Sequence, residues 1–432
     1  MKNLLSIIFM TFLLTFSACS NDDDSPNTPK EQLVLSASTL EAEVGETVSF
    51  EVTANGTTVT DAQIYVNGSL DSQNTNFNEK GSYSIVAKKE GFQESEPLNL
   101  TVYLVETYVV GYEGNGSNEV AKLWKNGVAQ NLTDGSNNAV AKSVYVSGND
   151  VYIAEIEFNG SNNLAKLWKN GTAQNLTDGS NQGGANSVYV SGSDVYVAGF
   201  ENHSSGTGTI AKLWKNGVVQ DLSDGSGYAL CHSVFVSSSP TGSGQVDTYV
   251  AGRELNSSSI WVAKLWKNGV AQDLTDGSNN ADAKSVYVSG DDVYVVGYEH
   301  NGSKNVAKLW KNGLAQDLSD GFSDANAESV YVTSPLQGSG QVDVYVAGYE
   351  EDGSSPTARL WKNGQELDLE ISSIISYANA VYVSGNDVYV AGAEFSGSTL
   401  KANLWKNGES QYLTEGANIS EAQSVFVVKS YE

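Results

Sequence analysis

From residue 33 onward, apolar and polar positions alternate in short runs separated by turn residues, which is the period of half-buried strands. The first of these runs are Leu33-Val34-Leu35, Val48 to Val52, Gln63 to Val66, Tyr83 to Ala87 and Leu98 to Val102. Some 70 residues of this pattern predict a small β-sandwich over 33–104. From residue 105 one phrase recurs. Its anchor is Leu-Trp-Lys-Asn-Gly, with Trp at 124, 168, 214, 266, 310, 361 and 405, spaced by 44, 46, 52, 44, 51 and 44 residues. Each copy also carries a Val-Tyr-Val-Ala-Gly strand, as at Val195 to Gly199, and a Ser-Val-Tyr-Val strand, as at Ser143 to Val146. A period of about 45 residues with four short strands is that of a propeller blade.

The turns order the strands. Ser147 to Asp150 joins the Ser-Val-Tyr-Val strand to the next one. Asn126-Gly127 and its six equivalents fold the Trp strand onto a short outer strand, because Asn-Gly supplies the two left-handed residues of a tight hairpin. The first copy starts at Thr107 without its own Ser-Val-Tyr-Val strand, and the last ends with a surplus one, Ser424 to Val427. The expected fold is therefore all-β: a small Ig-like β-sandwich, then a seven-bladed β-propeller over 105–432 closed by the C-terminal strand, leaving no sheet edge unpaired at the seam. The run Gly81 to Ala87 resembles the late hairpin of bacterial immunoglobulin-like modules, which implies a spacer or adhesive unit. The repeats resemble kelch and YVTN-type propeller repeats. They have one Gly after the second strand where kelch has two, so the resemblance implies the fold and none of that family's binding residues.

Most repeated positions read as scaffold. The seven Trp read as packing between blades rather than as a stacking surface for sugars. Asp150, Asp194, Asp247, Asp292, Asp343 and Asp387, with Glu106 in the first copy, precede a strand and are expected to accept turn N–H groups. Glu113, Glu157, Glu201, Glu254, Glu299, Glu350 and Glu394 end each second strand, and a basic residue follows nine to eleven positions later in six of the seven copies. Pairing across the hairpin is the reading adopted over a cation site, with Glu394, opposite Asn403, expected to be free. Cys231 fills a slot held elsewhere by Ala and reads as a small buried apolar residue.

Function is expected where the repeats break. Tyr228, Phe322 and Tyr377 interrupt the inter-blade loops, and Trp261 is the one Trp outside the repeated slot. Lys142, Asn186, His232, Lys284, Glu328, Asn379 and Gln423 form a variable polar position expected to ring the channel mouth. The predicted ligand contacts are Trp261, Tyr228, Phe322, Tyr377, His232 and Lys284. The longer hairpin loops at Gly242 to Asp247 and Gly338 to Asp343 carry no chemistry.

Charge narrows the partners. With 24 Lys+Arg against 51 Asp+Glu the net charge is −27, a field that repels phosphate, so nucleic acid is not expected. Two Arg exclude a multi-guanidinium clamp, as in sialidases, and three His with two Cys show no metal-ligand spacing. No catalytic residue, metal or cofactor is expected, and a monomer is.

The N-terminus is an address. Lys2 precedes an apolar stretch, Leu4 to Phe16, too short to span a bilayer, so 1–18 reads as a signal peptide. Phe16-Ser17-Ala18-Cys19 resembles a bacterial lipobox, which implies that Cys19 is acylated. The tail Ser20 to Ser25 with its three Asp resembles the export tag of Bacteroidetes-type surface lipoproteins, and 19–32 is then an acidic, polar tether. These resemblances imply an outer-membrane, surface-exposed lipoprotein that touches the membrane only through its lipid. The function expected is binding or adhesion, with the propeller face recognising a carbohydrate or protein. The alternatives are a propeller-fold glycosidase or lyase, or a structural envelope protein. Cys19→Ser is expected to abolish labelled-palmitate incorporation and detergent-phase partitioning; unchanged labelling would contradict the anchor.

Overall fold

The computed structural model describes residues 30–206, 208–238, 246–333, 341–353 and 355–431. The signal, Cys19 and most of the tether lie outside the described residues, as do 242–245 and 338–340 of the two longer hairpin loops. The chain divides into two compact units, the first ending at Tyr103 and the second running Leu104–Ser430.

In the first unit, Thr47–Ala54 pairs with Val34–Ala37, Thr57–Thr58 and Asn74–Asn76, and Gly81–Lys88 pairs with Gln63–Val66 and the start of Leu98–Gly114. Their alternate residues meet in one core containing Leu33, Val48, Phe50, Val52, Ile64, Ile85, Leu100 and Val102. The short strands Glu41–Glu43, Ser69–Asp71 and Asn74–Asn76 carry little apolar pattern, and the sequence reading missed them.

The second unit is a repeated four-stranded antiparallel meander. Six sheets are each built from consecutive strands, the first being Ala139–Ser147, Asp150–Phe158, Asn163–Lys169 and Thr172–Asn175. A further set joins Leu98–Gly114, Glu119–Lys125 and Val128–Asn131 to the C-terminal strand Ser420–Ser430, which pairs in register from Ser420↔Glu113 to Ser430↔Leu104. We number this set as the first repeat and Ala139–Asn175 as the second. On the innermost strands, Tyr145, Tyr189, Phe235, Tyr287, Tyr331, Tyr382 and Phe426 touch in a closed cycle, with centroids 4.7–5.1 Å apart and interplanar angles of 47–53°.

Neighbouring repeats meet through the Trp strand. Trp361 shares a core with Tyr294, Ala307 and Leu309 of the preceding repeat, and Trp124 does the same with Tyr389, Ala402 and Leu404 of the last. Five of the seven Trp are at most 1% exposed. Six Asn of the Asn-Gly turns following the Trp hold φ of 51–54°, and Asn170 holds 49°. Asn170 Oδ1 accepts the Val151 N–H at 2.8 Å, and its amide donates to Asp150. The Asp expectation is thereby corrected. It is the turn Asn that caps the strand N–H, leaving Asp150 to accept from Asn170 Nδ2, Lys169 Nζ (2.8 Å) and Tyr152 Oη.

The Glu–basic pairs form at Lys122–Glu113, Lys166–Glu157, Lys212–Glu201, Lys264–Glu254, Lys308–Glu299 and Arg359–Glu350. Glu394 is not free. It is fully buried, and its Oε1 accepts from both the backbone N–H and the hydroxyl of Ser372, because Asn403 offers it no cation and the altered loop folds over it. Cys231 is fully buried, and burial pushes its thiol far above the usual range.

Glu155 breaks the scaffold. It stands where the other second strands have Gly, as at Gly199 and Gly297, where an added Cβ would lie 2.0 and 1.9 Å from the facing carbonyl oxygen. Its carboxyl is fully buried, with Oε2 accepting from Trp168 Nε1 and Oε1 lacking a partner, and Trp168 is only half-buried. Burial first, and then the Glu157 charge, pushes Glu155 up to about 7, against the Trp168 hydrogen bond and Lys166. A carboxyl raised in the folded state binds more protons than in the unfolded chain, so its contribution favours folding at low pH and fades as pH rises from about 4.5 to 7. Glu155→Gln should therefore stabilise relative to the parent by up to about 3 kcal/mol more at pH 8 than at pH 5. Thermal melts at the two pH values check this, and an equal difference at both would contradict it.

Candidate functional site

The site is built from a register position. In every repeat the inner strand carries a β-bulge, between Ala141 and Ser143 in the second repeat and at the matching place in the others. The bulged residues are Lys142, Asn186, His232, Lys284, Glu328, Asn379 and Gln423. A bulge leaves one residue out of the ladder and re-aims its side chain, which accounts for polar residues at a point where the flanking strand is buried. Several are tied around the mouth: Lys142 Nζ donates to Gln423, and Asn379 Nδ2 donates to Glu421 Oε1 at 2.7 Å.

Two residues before each bulge lies the layer that differs most among otherwise similar repeats. Its cross-strand pairs are Val140↔Ile156, Gly184↔Phe200, Leu230↔Arg253, Asp282↔Tyr298, Asn326↔Tyr349, Tyr377↔Ala393 and Glu421↔Tyr112. Two consecutive repeats, with Leu230 of the next, supply an apolar arc. Phe200 and Ile156 close over Gly184, where a Cβ would come within 2.7 and 2.9 Å of their side-chain carbons. The other repeats supply phenols, amides and charge. Asn326 Nδ2 donates to Tyr349 Oη, Tyr349 and Tyr377 meet edge to face at 5.3 Å, and Tyr112 Oη donates to Glu421 at 3.1 Å.

At one point of this layer four side chains converge. Asp282 is fully buried, and around it lie His232 Nε2 at 3.1 Å, Lys284 Nζ at 3.2 Å and Arg253 Nη1 at 3.4 Å. These are ion contacts without hydrogen-bond alignment: both Asp282 oxygens, His232 Nε2 and Arg253 Nε have no aligned partner. Burial alone would raise the Asp282 carboxyl, but the charges of His232, Lys284 and Arg253 outweigh it and hold the group well below the usual range. Burial opposes the Lys284 charge too, and Asp282 and Glu328 overcome it, holding the ammonium above its ordinary value. The Arg253 guanidinium lies 4.2 Å from the Trp261 ring centroid, a cation–π stack that fixes its plane.

Of the six residues expected to contact ligand, Trp261, His232 and Lys284 join this cluster through Arg253 and Asp282, and Tyr377 lies in the same variable layer against Tyr349. Tyr228 and Phe322 stand on loops, 47% and 85% exposed. Arg253 and Asp282 were missed. The signal was present in the sequence, since Arg253 falls in the slot of Ile156 and Phe200 and is one of only two Arg.

Beside the mouth, between the third strands of the first and last repeats, Tyr112, Asn118, Glu119, Asn138, Thr399 and Ile419 line a groove of about 600 Å³. Burial, and then the nearby Glu421, raises the Glu119 carboxyl. Among the described residues no three His, Cys, Asp or Glu side chains gather to hold a metal ion.

No family model and no curated protein matches the chain. Among solved structures it is similar to an acylaminoacyl peptidase of Pyrococcus horikoshii, at 13% identity and a TM-score of 0.40, over 78% of this chain and 51% of that one. It is similar to the β-propeller domain of the trilobed protease of Pyrococcus furiosus, at 12% and 0.40, over 78% and 93%. Hydrazine synthase of Kuenenia stuttgartiensis follows at 10% and 0.39, over 76% and 47%. The chain spans about half the length of that peptidase, and likeness at this level bears on neither activity nor ligand. Repeated four-stranded meanders set around a common axis, with their inner strands in contact, are the arrangement of a β-propeller. The second unit is a β-propeller.

Proposed function

We propose that the protein is a surface-anchored binding lipoprotein, an Ig-like module carrying a seven-bladed propeller whose mouth recognises a carbohydrate or protein ligand. The observation that carries the reading is where the repeats diverge. Trp, Asn-Gly, the Asp–Lys pairs and the Glu–basic pairs recur around the ring, whereas one register layer at one end of the channel holds a different cross-strand pair in every blade. A packing role would favour the same solution seven times, and recognition of an asymmetric ligand requires unlike contacts. Two features support seven blades. The C-terminal strand pairs with Leu104 to Glu113, and the inner aromatic rings turn by 47–53° from one to the next, close to the roughly 51° of a sevenfold rotation. Anchoring rests on the apolar segment ending at Cys19 and the Asp-rich tail behind it.

A second reading has one observation in its favour. A raised Glu119 beside the hydrogen-bonded Glu421, at the edge of a groove, is the contrast of environments that glycan hydrolysis uses for its acid and its base or nucleophile. The binding reading absorbs more of the mouth. The detergent-solubilised protein on a glycan and peptide array is expected to retain a ligand, and Tyr349→Ala is expected to weaken that retention at least about tenfold, roughly 1.4 kcal/mol, with the melting temperature nearly unchanged. Retention unaffected by mouth variants would move the site elsewhere, and steady cleavage of an arrayed glycan that stops in Glu119→Gln would favour the enzyme.

A further inference from the structure

We propose that Arg253, His232 and Lys284 hold the carboxylate of an acidic saccharide at the propeller mouth, with Asp282 as the buried counter-charge that positions them. This rests on the mouth being the ligand face.

Donors outnumber acceptors at this cluster. Elsewhere in the propeller one cation is shared by two acids: Lys212 by Glu201 and Asp221, Lys264 by Glu254 and Asp273, Lys308 by Glu299 and Asp317. At the mouth the ratio inverts, and three basic side chains surround one carboxylate in a chain whose net charge is −27. A guanidinium has five N–H donors, an ammonium three and an imidazole one or two, more than the roughly four lone-pair sites of one carboxylate can take. Even so, Arg253 Nε and His232 Nε2, both closed to solvent beside Asp282, lack aligned acceptors, so the donors an incoming group can reach are those on the exposed parts of the three side chains.

Accessibility points the same way. The Asp282 side chain is closed to solvent at 0%, whereas those of Arg253, Lys284 and His232 are 24%, 23% and 21% exposed. An incoming group therefore meets donors and not the acid. Stacking on Trp261 holds the guanidinium in one plane, ready for a planar, two-oxygen acceptor. Glu328 moderates Lys284, which leaves Arg253 as the principal anchor. The rest of the layer offers the phenols of Tyr298, Tyr349, Tyr377 and Tyr112, with Asn326 and Glu421. Aromatic faces interleaved with hydrogen-bonding groups suit a ring bearing hydroxyls better than a peptide backbone.

Isothermal titration of the detergent-solubilised protein with galacturonate, galactose and N-acetylalanine tests the proposal, and monosaccharide-sized probes keep repulsion by the acidic chain small. Galacturonate is expected to bind at least about tenfold more tightly than either of the others. Arg253→Gln is expected to lose about that factor, and Lys284→Gln to lose affinity as well, so the test survives if one variant fails to fold. Asp282→Asn, which frees the cations of their counter-charge, is expected to bind galacturonate more tightly and to gain thermal stability when it is added. A cluster that only supports the fold would weaken binding in Asp282→Asn and Arg253→Gln alike, and that result overturns the proposal. So does galactose binding equally well, N-acetylalanine binding as tightly, or no saturable galacturonate binding. Neutral-sugar binding that Tyr349→Ala abolishes would overturn the carboxylate site and leave the mouth as ligand face, whereas binding indifferent to both Tyr349→Ala and Arg253→Gln would overturn both.

Discussion

Everything in the propeller depends on one ladder, the pairing of Ser420–Ser430 with Leu104 to Glu113. A four-stranded sheet alone leaves two apolar faces bare, and each face here is covered by the next repeat. A row of such sheets would still expose one face at each end. Bringing the last strand of the chain into the first repeat removes both ends at once. The seam then looks like every other interface, with Trp124 seated against Tyr389, Ala402 and Leu404 as Trp361 is against Tyr294, Ala307 and Leu309. Closure also fixes the spacing of the inner strands, and hence the positions of the unlike cross-strand pairs near one end of them.

Within that frame most residues are not at liberty to vary. The Asn-Gly turn, the Asp that receives the Asn amide and the Lys beside it, and the Trp strand are coupled contacts, so a change at one disturbs the others. The layer two residues before the bulge is freer, since it lies at the end of the sheet, where a side chain can meet solvent or ligand in place of a neighbouring blade. The cost of that freedom is visible at Asp282. A carboxylate with no solvent exposure needs charged or hydrogen-bonding partners to offset its lost hydration, and the three basic groups that serve Asp282 each belong to a different bulge or strand.

Much of the scaffold was legible because it is written seven times. Strand pairs, the Asn-Gly hairpins, the Glu–basic pairs and the buried Cys231 follow from periodicity and local turn chemistry, in which partners are close in sequence. The failures share a cause. Arg253, Asp282 and His232 meet across two blades and a bulge, and no rule of spacing shows how far a bulge turns a side chain. Glu394 was expected to be free because Asn403 had replaced its cation, but the altered loop at Ser372 came in to meet it. Glu155 went unnoticed in a slot where the Gly is needed for close approach of a carbonyl, a requirement that only the facing strand reveals.

Closure by the C-terminal strand sustains the whole ring. Thermal and urea unfolding of a chain lacking residues 424–432 tests it most directly. Loss of a hydrogen-bond ladder and of the buried faces of Val425 and Val427 is predicted to cost several kcal/mol, of order 3–5, and to lower the melting temperature of the propeller transition. A truncated chain that melts and unfolds in urea as the parent does would contradict the account.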